Sequence, residues 1–406
     1  MLMSFDTALA SLLAAAETPS EHTGDCESLA LADCDGRVLA QALVAPIAVP
    51  AFDNSAMDGY AVHLADFDAI PISLPVVQRI AAGSQGLPLA PGSAARIFTG
   101  APVPAGCNAV VPQEDTQADG DTVRLLASIR NGQHIRHVGE DIALADTVIA
   151  AGQVLAPQHL ALAASIGIAH LTVRTRLRVG LLCTGDELVQ PGQPLPPGGV
   201  YNSNQFAIAT LLARLGCRVR DYGKVVDTYE ATVAAMRLAA SENDVVISCG
   251  GVSVGEEDHV KAAVSALGRL DLWRIAIKPG KPLAFGKLGQ ADFIGLPGNP
   301  VSAFLTFVLL ARPFLLKRMG ADVSAPRAIH VPADFAWPGA GQRREFLRAR
   351  LVGGDDGRLL AQLYPSQGSA VMSGLAWADG LVDVPAGGRI ETGDSVRYLP
   401  LEQLTG

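Results

Sequence analysis

The sequence predicts a multi-domain protein of the α/β plus β class: a central α/β domain, a mostly β insertion domain ahead of it and a C-terminal β domain, sandwich or barrel-like. Three observations carry that expectation. Residues 177–325 alternate short β-branched runs with longer helical ones. Residues 46–141 are rich in Pro, Gly, Val and Ile, with turn pairs such as Pro91-Gly92 and Asp119-Gly120. Residues 326–406 repeat that punctuation at Gly353-Gly354, Asp356-Gly357 and Gly387-Gly388. A chain of 406 residues has room for two to four such domains.

Within the α/β part, Leu177–Cys183, Arg218–Val226, Val245–Ser248 and Leu272–Ile277 read as strands. Phe206–Leu215, Tyr229–Ala240, Glu257–Leu267 and Pro300–Leu316 read as helices. Strands alternating with helices of this length predict βαβ units, a mostly parallel sheet and right-handed crossovers. Pro157–Ala169 reads as a further helix. It is expected to pack with Ser4–Ala16 and the segment Leu29–Val44, so that residues 1–45 and 142–176 build a connecting domain from discontinuous sequence.

Composition excludes several functions. Hydrophobic residues make up 49% and charged ones 17%, enough for folded cores, and the net charge of −9 argues against nucleic acid or an anionic membrane as the main partner. Six scattered cysteines without a Cys-x-x-Cys pair fit reduced thiols in a cytoplasm. Asp6 is the only charge before the apolar stretch Ala8–Ala16, which lacks the basic start of a signal peptide and reads as a first helix. The apolar run Val301–Leu316 contains Arg312 and Pro313 and is shorter than the ~20 residues of a bilayer span. It reads as a buried core helix.

The polar clusters fall where the α/β pattern puts strand ends. Val246-Ile-Ser-Cys-Gly-Gly-Val-Ser-Val-Gly-Glu-Glu-Asp258 runs from a β-branched strand through a glycine and serine turn to acids at a helix start. Glycines there let backbone approach a ligand, and a helix start favours an anion. Thr184-Gly-Asp-Glu-Leu188 follows the first strand and Asp227 follows the second. Acids beyond successive parallel strands converge on one crevice, where their repulsion calls for a cation such as Mg2+. Lys278-Pro-Gly-Lys-Pro282 supplies two lysines on a loop stiffened by proline, suited to an oxyanion. Leu296-Pro-Gly-Asn-Pro-Val-Ser302 leads into the apolar helix, with Ser302 in its first turn. Taken singly, each of these is also an ordinary cap or turn.

Other motifs fail. Gly280 to Gly286 spans five intervening residues where a Walker A loop has four, and Leu288 stands where Ser or Thr is required. Gly250 to Gly255 lacks Gly-x-Gly-x-x-Gly spacing. The eight histidines show no paired-ligand spacing, and Gly-x-Ser-x-Gly is absent. In the first β module, Asp53-Asn-Ser-Ala-Met-Asp-Gly-Tyr-Ala-Val62, Thr99-Gly-Ala-Pro-Val-Pro104 and Gly139-Glu-Asp-Ile142 gather acids and hydroxyls.

In order and spacing these segments, together with Asn202-Ser-Asn204, resemble the MoeA family of molybdopterin molybdenumtransferases, which includes the E-domain of gephyrin. Cys183 and Cys249 depart from it, since small hydroxyl residues are common there. The same holds for Cys107-Asn108, where Ala-Asp is common. The resemblance implies four-domain subunits in an elongated homodimer, with residues 46–141, 177–325 and 326–406 as three of the domains. The α/β domain is then related to the molybdopterin adenylyltransferase fold, and the cleft lies between that domain and the partner's first β module.

The implied reaction is insertion of molybdate into adenylylated molybdopterin, giving the molybdenum cofactor and AMP with Mg2+. Glu187, Asp227 and Asp258 would position Mg2+. Lys278 and Lys281 would hold molybdate and phosphate oxygens, and Ser253 and Ser302 would donate hydrogen bonds to oxyanions. Pro297 and Pro300 would line the substrate site. Asp58, Thr99 and Asp141 would complete the cleft from the partner subunit, and Arg344 and Ser369 would contact molybdate. A molybdopterin adenylyltransferase and downstream cofactor carriers or enzymes are the implied partners. The alternatives are a molybdopterin adenylyltransferase itself and a non-catalytic, gephyrin-like scaffold.

Overall fold

The computed structural model describes residues 2–17, 25–66, 70–128, 130–251, 259–280, 282–354 and 357–405. Ser253, Asp258 and Lys281 fall outside them.

The chain opens with helix α1 (Phe5–Ala15), capped by Ser4, whose hydroxyl accepts from the Thr7 N–H at 3.1 Å. Spacing by three and four puts Phe5, Ala8 and Leu12 on one face. That face does not join the connecting segments as expected. It is buried in the α/β core beside Phe314 and Leu315, and Phe5 meets Phe346 with ring centroids 5.4 Å apart. Backbone bonds from the Met3 N–H to the Arg274 carbonyl and from the Ala276 N–H to the Met3 carbonyl tie this terminus to the α/β domain.

The first β module is a six-stranded sheet of β1 (Gly59–Val62), β2 (Ile72–Ile80), β3 (Ala94–Ile97), β4 (Ala109–Pro112), β5 (Thr116–Asp119) and β6 (Thr122–Leu125). Their order is β4-β1-β3-β2-β6-β5, antiparallel except for β2 with β3. Leu29 and Leu39, together with Ile149, Leu155, Ala163 and Leu171, form a separate small core. Strand Cys26–Ala30 pairs with His170–Arg174, and α2 (Pro157–Ser165) packs beside them.

The central sheet contains β7 (Arg178–Thr184), α3 (Ser203–Arg214), β8 (Arg218–Val225), α4 (Tyr229–Glu242), β9 (Val245–Cys249), α5 (His259–Leu267), β10 (Gly268–Arg274), β11 (Pro282–Leu288) and β12 (Ala291–Leu296). The order is β8-β7-β9-β12-β11-β10. The first four strands run parallel, and β11 and β10 are antiparallel at one edge. Two cores lie on opposite faces of the sheet, because alternate residues of buried strands serve both: Val245 and Ile247 face one, Val246 the other.

Pro300–Arg318, here α6, continues from the end of β12. It is a helical rod with a π-helical stretch at Phe307–Ala311. Its length and composition would let it cross a bilayer, yet Val301, Leu305, Val308, Leu310 and Phe314 are buried in the protein core.

The C-terminal module contains β13 (Ile329–Pro332), β14 (Arg344–Gly353), β15 (Leu359–Leu363), β16 (Gly380–Val384) and β17 (Ser395–Pro400). They pair as β13-β17-β16-β14-β15, and a bridge between Ala333 and Ala361 brings the ends together, a barrel-like closure. The two-residue strand Ile277–Lys278 leaves the α/β domain and adds to this sheet beside β14.

Candidate active site

At the carboxyl ends of the parallel strands lies a cleft of about 1370 Å³, floored by the α/β domain and flanked by the C-terminal module. Each wall has a local reason. After β7 the chain turns through Gly185, whose φ of +142° suits glycine, and a Cβ there would lie 2.7 Å from Glu187 Oε2. The Glu187 carboxylate therefore folds back over its own turn. Lys224 on β8 braces the same turn, its Nζ donating to the Asp186 and Leu188 carbonyls at 2.8 and 2.9 Å. After β9, Gly250 (φ +93°) brings its backbone so close to β7 that a Cβ would sit 2.7 Å from the Thr184 carbonyl oxygen.

Asp227 follows β8 and lines the cleft, and the adjacent Thr228 caps α4 by accepting from the Ala231 N–H at 3.3 Å. Asn204 Nδ2 donates to the Gly298 carbonyl at 2.8 Å, pinning the turn of Pro297 and Pro300 against α3. Ser302, in the first turn of α6, is buried at the edge of the cleft. Thus Glu187, Asp227, Lys278, Pro297, Pro300, Ser302 and Ser369 share one cleft.

The C-terminal module contributes Arg343 and the loop Gln367–Ala370. Beneath that loop, Arg348 is almost wholly buried, donating from Nη1 to the Gly368 carbonyl at 2.9 Å and from Nη2 to the Ser366 carbonyl at 2.8 Å. Burial pushes its guanidinium pKa down. The Ser369 carbonyl accepts from the Val301 N–H at 3.0 Å, joining the loop to α6.

One expected contact is misplaced. Arg344 does not line this cleft: its guanidinium grips Asp383 at 2.7 Å and Asp6 at 2.9 Å, and stacks near Phe5 and Phe346. Arg343 occupies the cleft instead, because successive residues entering a strand face opposite ways. Tyr201, His259, Arg343, Arg348 and Gln367 carry no signal in the sequence. Asn204, inside Asn202-Ser-Asn204, carries one.

Asp58 and Thr99 stand together in the first β module, outside the lining of this cleft. Asp58 Oδ1 accepts from the Thr99 N–H at 2.8 Å and from its hydroxyl at 3.0 Å. Those bonds hold the exposed Asp58 carboxyl below its ordinary range. Asp141 is exposed on a neighbouring loop, its N–H donating to the Val49 carbonyl at 3.0 Å. Nearby, Asp53 Oδ1 accepts from the Val138 N–H at 2.8 Å and Asp53 Oδ2 lies 3.2 Å from His137 Nδ1.

Comparison with known proteins agrees along the chain. Residues 3–167 match the MoeA N-terminal region (domain I and II), residues 180–317 a probable molybdopterin binding domain, and residues 330–401 the MoeA C-terminal region (domain IV). A molybdopterin molybdenumtransferase of Haemophilus influenzae is 39% identical, over 94% of this chain and 95% of that protein. One of Bacillus subtilis is 32% identical, over 95% and 92%. The crystal structure of a MoeA molybdopterin biosynthesis protein from Pyrococcus horikoshii OT3 is similar at 27% identity and a TM-score of 0.84, covering 98% of this chain and 100% of that one. A cleft floored by the α/β domain and flanked by the C-terminal module, and family matches over residues 3–167, 180–317 and 330–401, lead to one conclusion: the chain belongs to the MoeA family of molybdopterin molybdenumtransferases.

Proposed function

We propose that this enzyme inserts molybdenum, supplied as molybdate, into molybdopterin presented in its adenylylated form, releasing AMP. The observation that carries the reading is the charge pattern of one cleft, where Glu187 and Asp227 share walls with Lys278 and Arg343. Two anionic substrates repel each other unless cations lie between them. Lys278 and Arg343 bind and orient molybdate and phosphate oxygens, with Ser302 and Ser369 as hydroxyl donors. Ser253 and Lys281 join them in this reading. Water adds across the phosphoanhydride and one P–O bond breaks: one phosphate leaves with AMP and the other stays on molybdopterin, while the molybdate oxygen displaced on insertion takes up two protons and leaves as water.

Glu187 and Asp227 suit Mg2+, which is ordinarily held by one or two carboxylates with water and substrate phosphates completing the shell. Among the described residues no cluster of three or more acid, His or Cys side chains forms a ready-made cage, so substrate oxygens belong in this set, with Asp258 as a third carboxylate. Held by Glu187 and Asp227, such an ion would supply charge neutralisation at the phosphates and Lewis-acid polarisation of the P–O bond.

The proposed unit is a homodimer, in which Asp58, Thr99 and Asp141 complete the partner's cleft. Ile47, Phe52, Val138 and Leu144, exposed around those residues, supply apolar surface for a subunit contact. A cytoplasmic location goes with this reading.

The test supplies purified chain with adenylylated molybdopterin. AMP release that requires both molybdate and Mg2+ is expected. ATP consumption without molybdate dependence would mark an adenylyltransferase, and partner-peptide binding without turnover a scaffold.

A further inference from the structure

Lys278 reaches the cleft from a strand that belongs to two domains. Ile277 pairs with Arg344 and Lys278 with Glu345, in parallel register on β14. Lys278 Nζ lies 3.1 Å from Glu345 Oε1, and Trp337 Nε1 donates to Glu345 Oε2 at 2.9 Å. The Glu345 side chain is only 4% exposed, while that of Lys278 is 44% exposed and lines the cleft. The ammonium also stands 5.9 Å from the centre of the Trp337 ring. Trp337 is itself fixed by paired backbone bonds with Ile390.

Both oxygens of a buried carboxylate are thus committed, one to an indole and one to an ammonium. A carboxylate buried this deeply is costly without its cation, so it holds Lys278 in place whether or not substrate is bound. A lysine otherwise gives up rotamer freedom when it is fixed. An ammonium has three donors, and one bond to Glu345 leaves two for the cleft. Glu345 is not among the residues that line the cleft.

We infer that Glu345, supported by Trp337, is a positioning residue of the anion site: it fixes the Lys278 ammonium at the cleft and makes the C-terminal module part of that site. The inference rests on the proposed function, since it concerns how Lys278 meets molybdate and phosphate.

The test is a double-mutant cycle on the full-length enzyme, reading kcat and the molybdate KM of AMP release. Lys278→Gln removes the charge and raises the molybdate KM, by about tenfold or more. Glu345→Gln keeps the shape and removes the tether. Its kcat falls about tenfold from misplacement, while the molybdate KM rises by less than in Lys278→Gln, because the ammonium is still present but no longer held. In the Lys278→Gln background the Glu345→Gln change has no ammonium to act on and alters kcat by less than about twofold. Trp337→Phe keeps an aromatic ring and removes the donor to Glu345 Oε2. It repeats the pattern in weaker form and decides the matter if Glu345→Gln does not fold.

Effects that multiply across the cycle, or wild-type kinetics in Glu345→Gln, overturn the positioning role. A wild-type enzyme without molybdate-dependent AMP release removes the proposed function and this inference with it. An active wild type with multiplying effects removes the inference alone.

Discussion

Arg343 and Arg344 are adjacent in sequence and do opposite work. Arg343 lines the cleft, while Arg344 neutralises Asp383, a carboxylate only 3% exposed. Replacing Arg343 with Gln should raise the molybdate KM about tenfold and leave the melting temperature near that of wild type. Replacing Arg344 with Gln should do the reverse. It strands Asp383, with Arg397 3.5 Å away as a partial substitute, at a cost of about 1–3 kcal/mol. Thermal melts and molybdate titrations of both variants check this, and the opposite pairing of effects would show the assignment reversed. Sequence alone points to Arg344 and passes over the cleft-lining Arg343 for a physical reason. Strand alternation puts the two on opposite faces, but it does not say which face meets the cleft. Glu187 and Asp227 were legible because strand ends in an α/β pattern fix where a following acid goes. Arg348 was not, since its task is set by a loop 18 and 20 residues further on.

At the scale of elements, the sheet is stapled at the end opposite the cleft. Asp244, just before β9, accepts from the Arg178 backbone N–H at 2.9 Å and from Arg178 Nη2 at 2.6 Å, locking the starts of β9 and β7. Burial alone pushes the Asp244 carboxyl up, but hydrogen bonds and charge from Arg178 more than reverse it and hold the pKa below the ordinary range. A carboxyl depressed in the folded state adds stability above its unfolded value of about 3.9, and that stability fades as pH falls through the lower folded value. Asp244→Asn should therefore cost about 1 kcal/mol at neutral pH. The gap to wild type should close as pH drops below about 4. Urea unfolding across a pH series measures it, and a gap unchanged at pH 3 would contradict the staple.

Three of the four parallel strands answer to what the sequence shows, with β7 and β9 running one residue further than expected, while β12 has no counterpart among the expected strands. The antiparallel edge was harder to read. The expected strand Leu272–Ile277 is shifted from the observed Gly268–Arg274, and its partner β11 was not anticipated. Gly268 and Gly286 look like loop residues in sequence. Here they sit where strands pass so closely that a Cβ would lie 2.0 Å from the Lys287 carbonyl oxygen and 2.1 Å from that of Arg269.

At the scale of the whole molecule, contacts between distant segments decide the architecture. The ion pair between Asp6 and Arg344 and the docking of α1 on the α/β core join residues more than 300 apart, and no local pattern announces them. The proposed composite cleft predicts complementation. An Asp58→Ala chain combined with an Asp227→Ala chain should give mixed dimers with one intact and one doubly damaged site, and about half of wild-type activity by site count under two-fold symmetry. No recovered activity in a purified heterodimer would place both residues in one chain's site.

In the proposed reaction this cleft couples molybdenum uptake to AMP release. The most direct measurement is the ratio of AMP released to molybdenum incorporated by the purified enzyme, alongside the same ratio for Asp227→Asn. One AMP per molybdenum is expected in wild type, and a rate lower by on the order of 100-fold or more in a variant that still folds. AMP release without molybdenum incorporation, or wild-type turnover in Asp227→Asn, would contradict it.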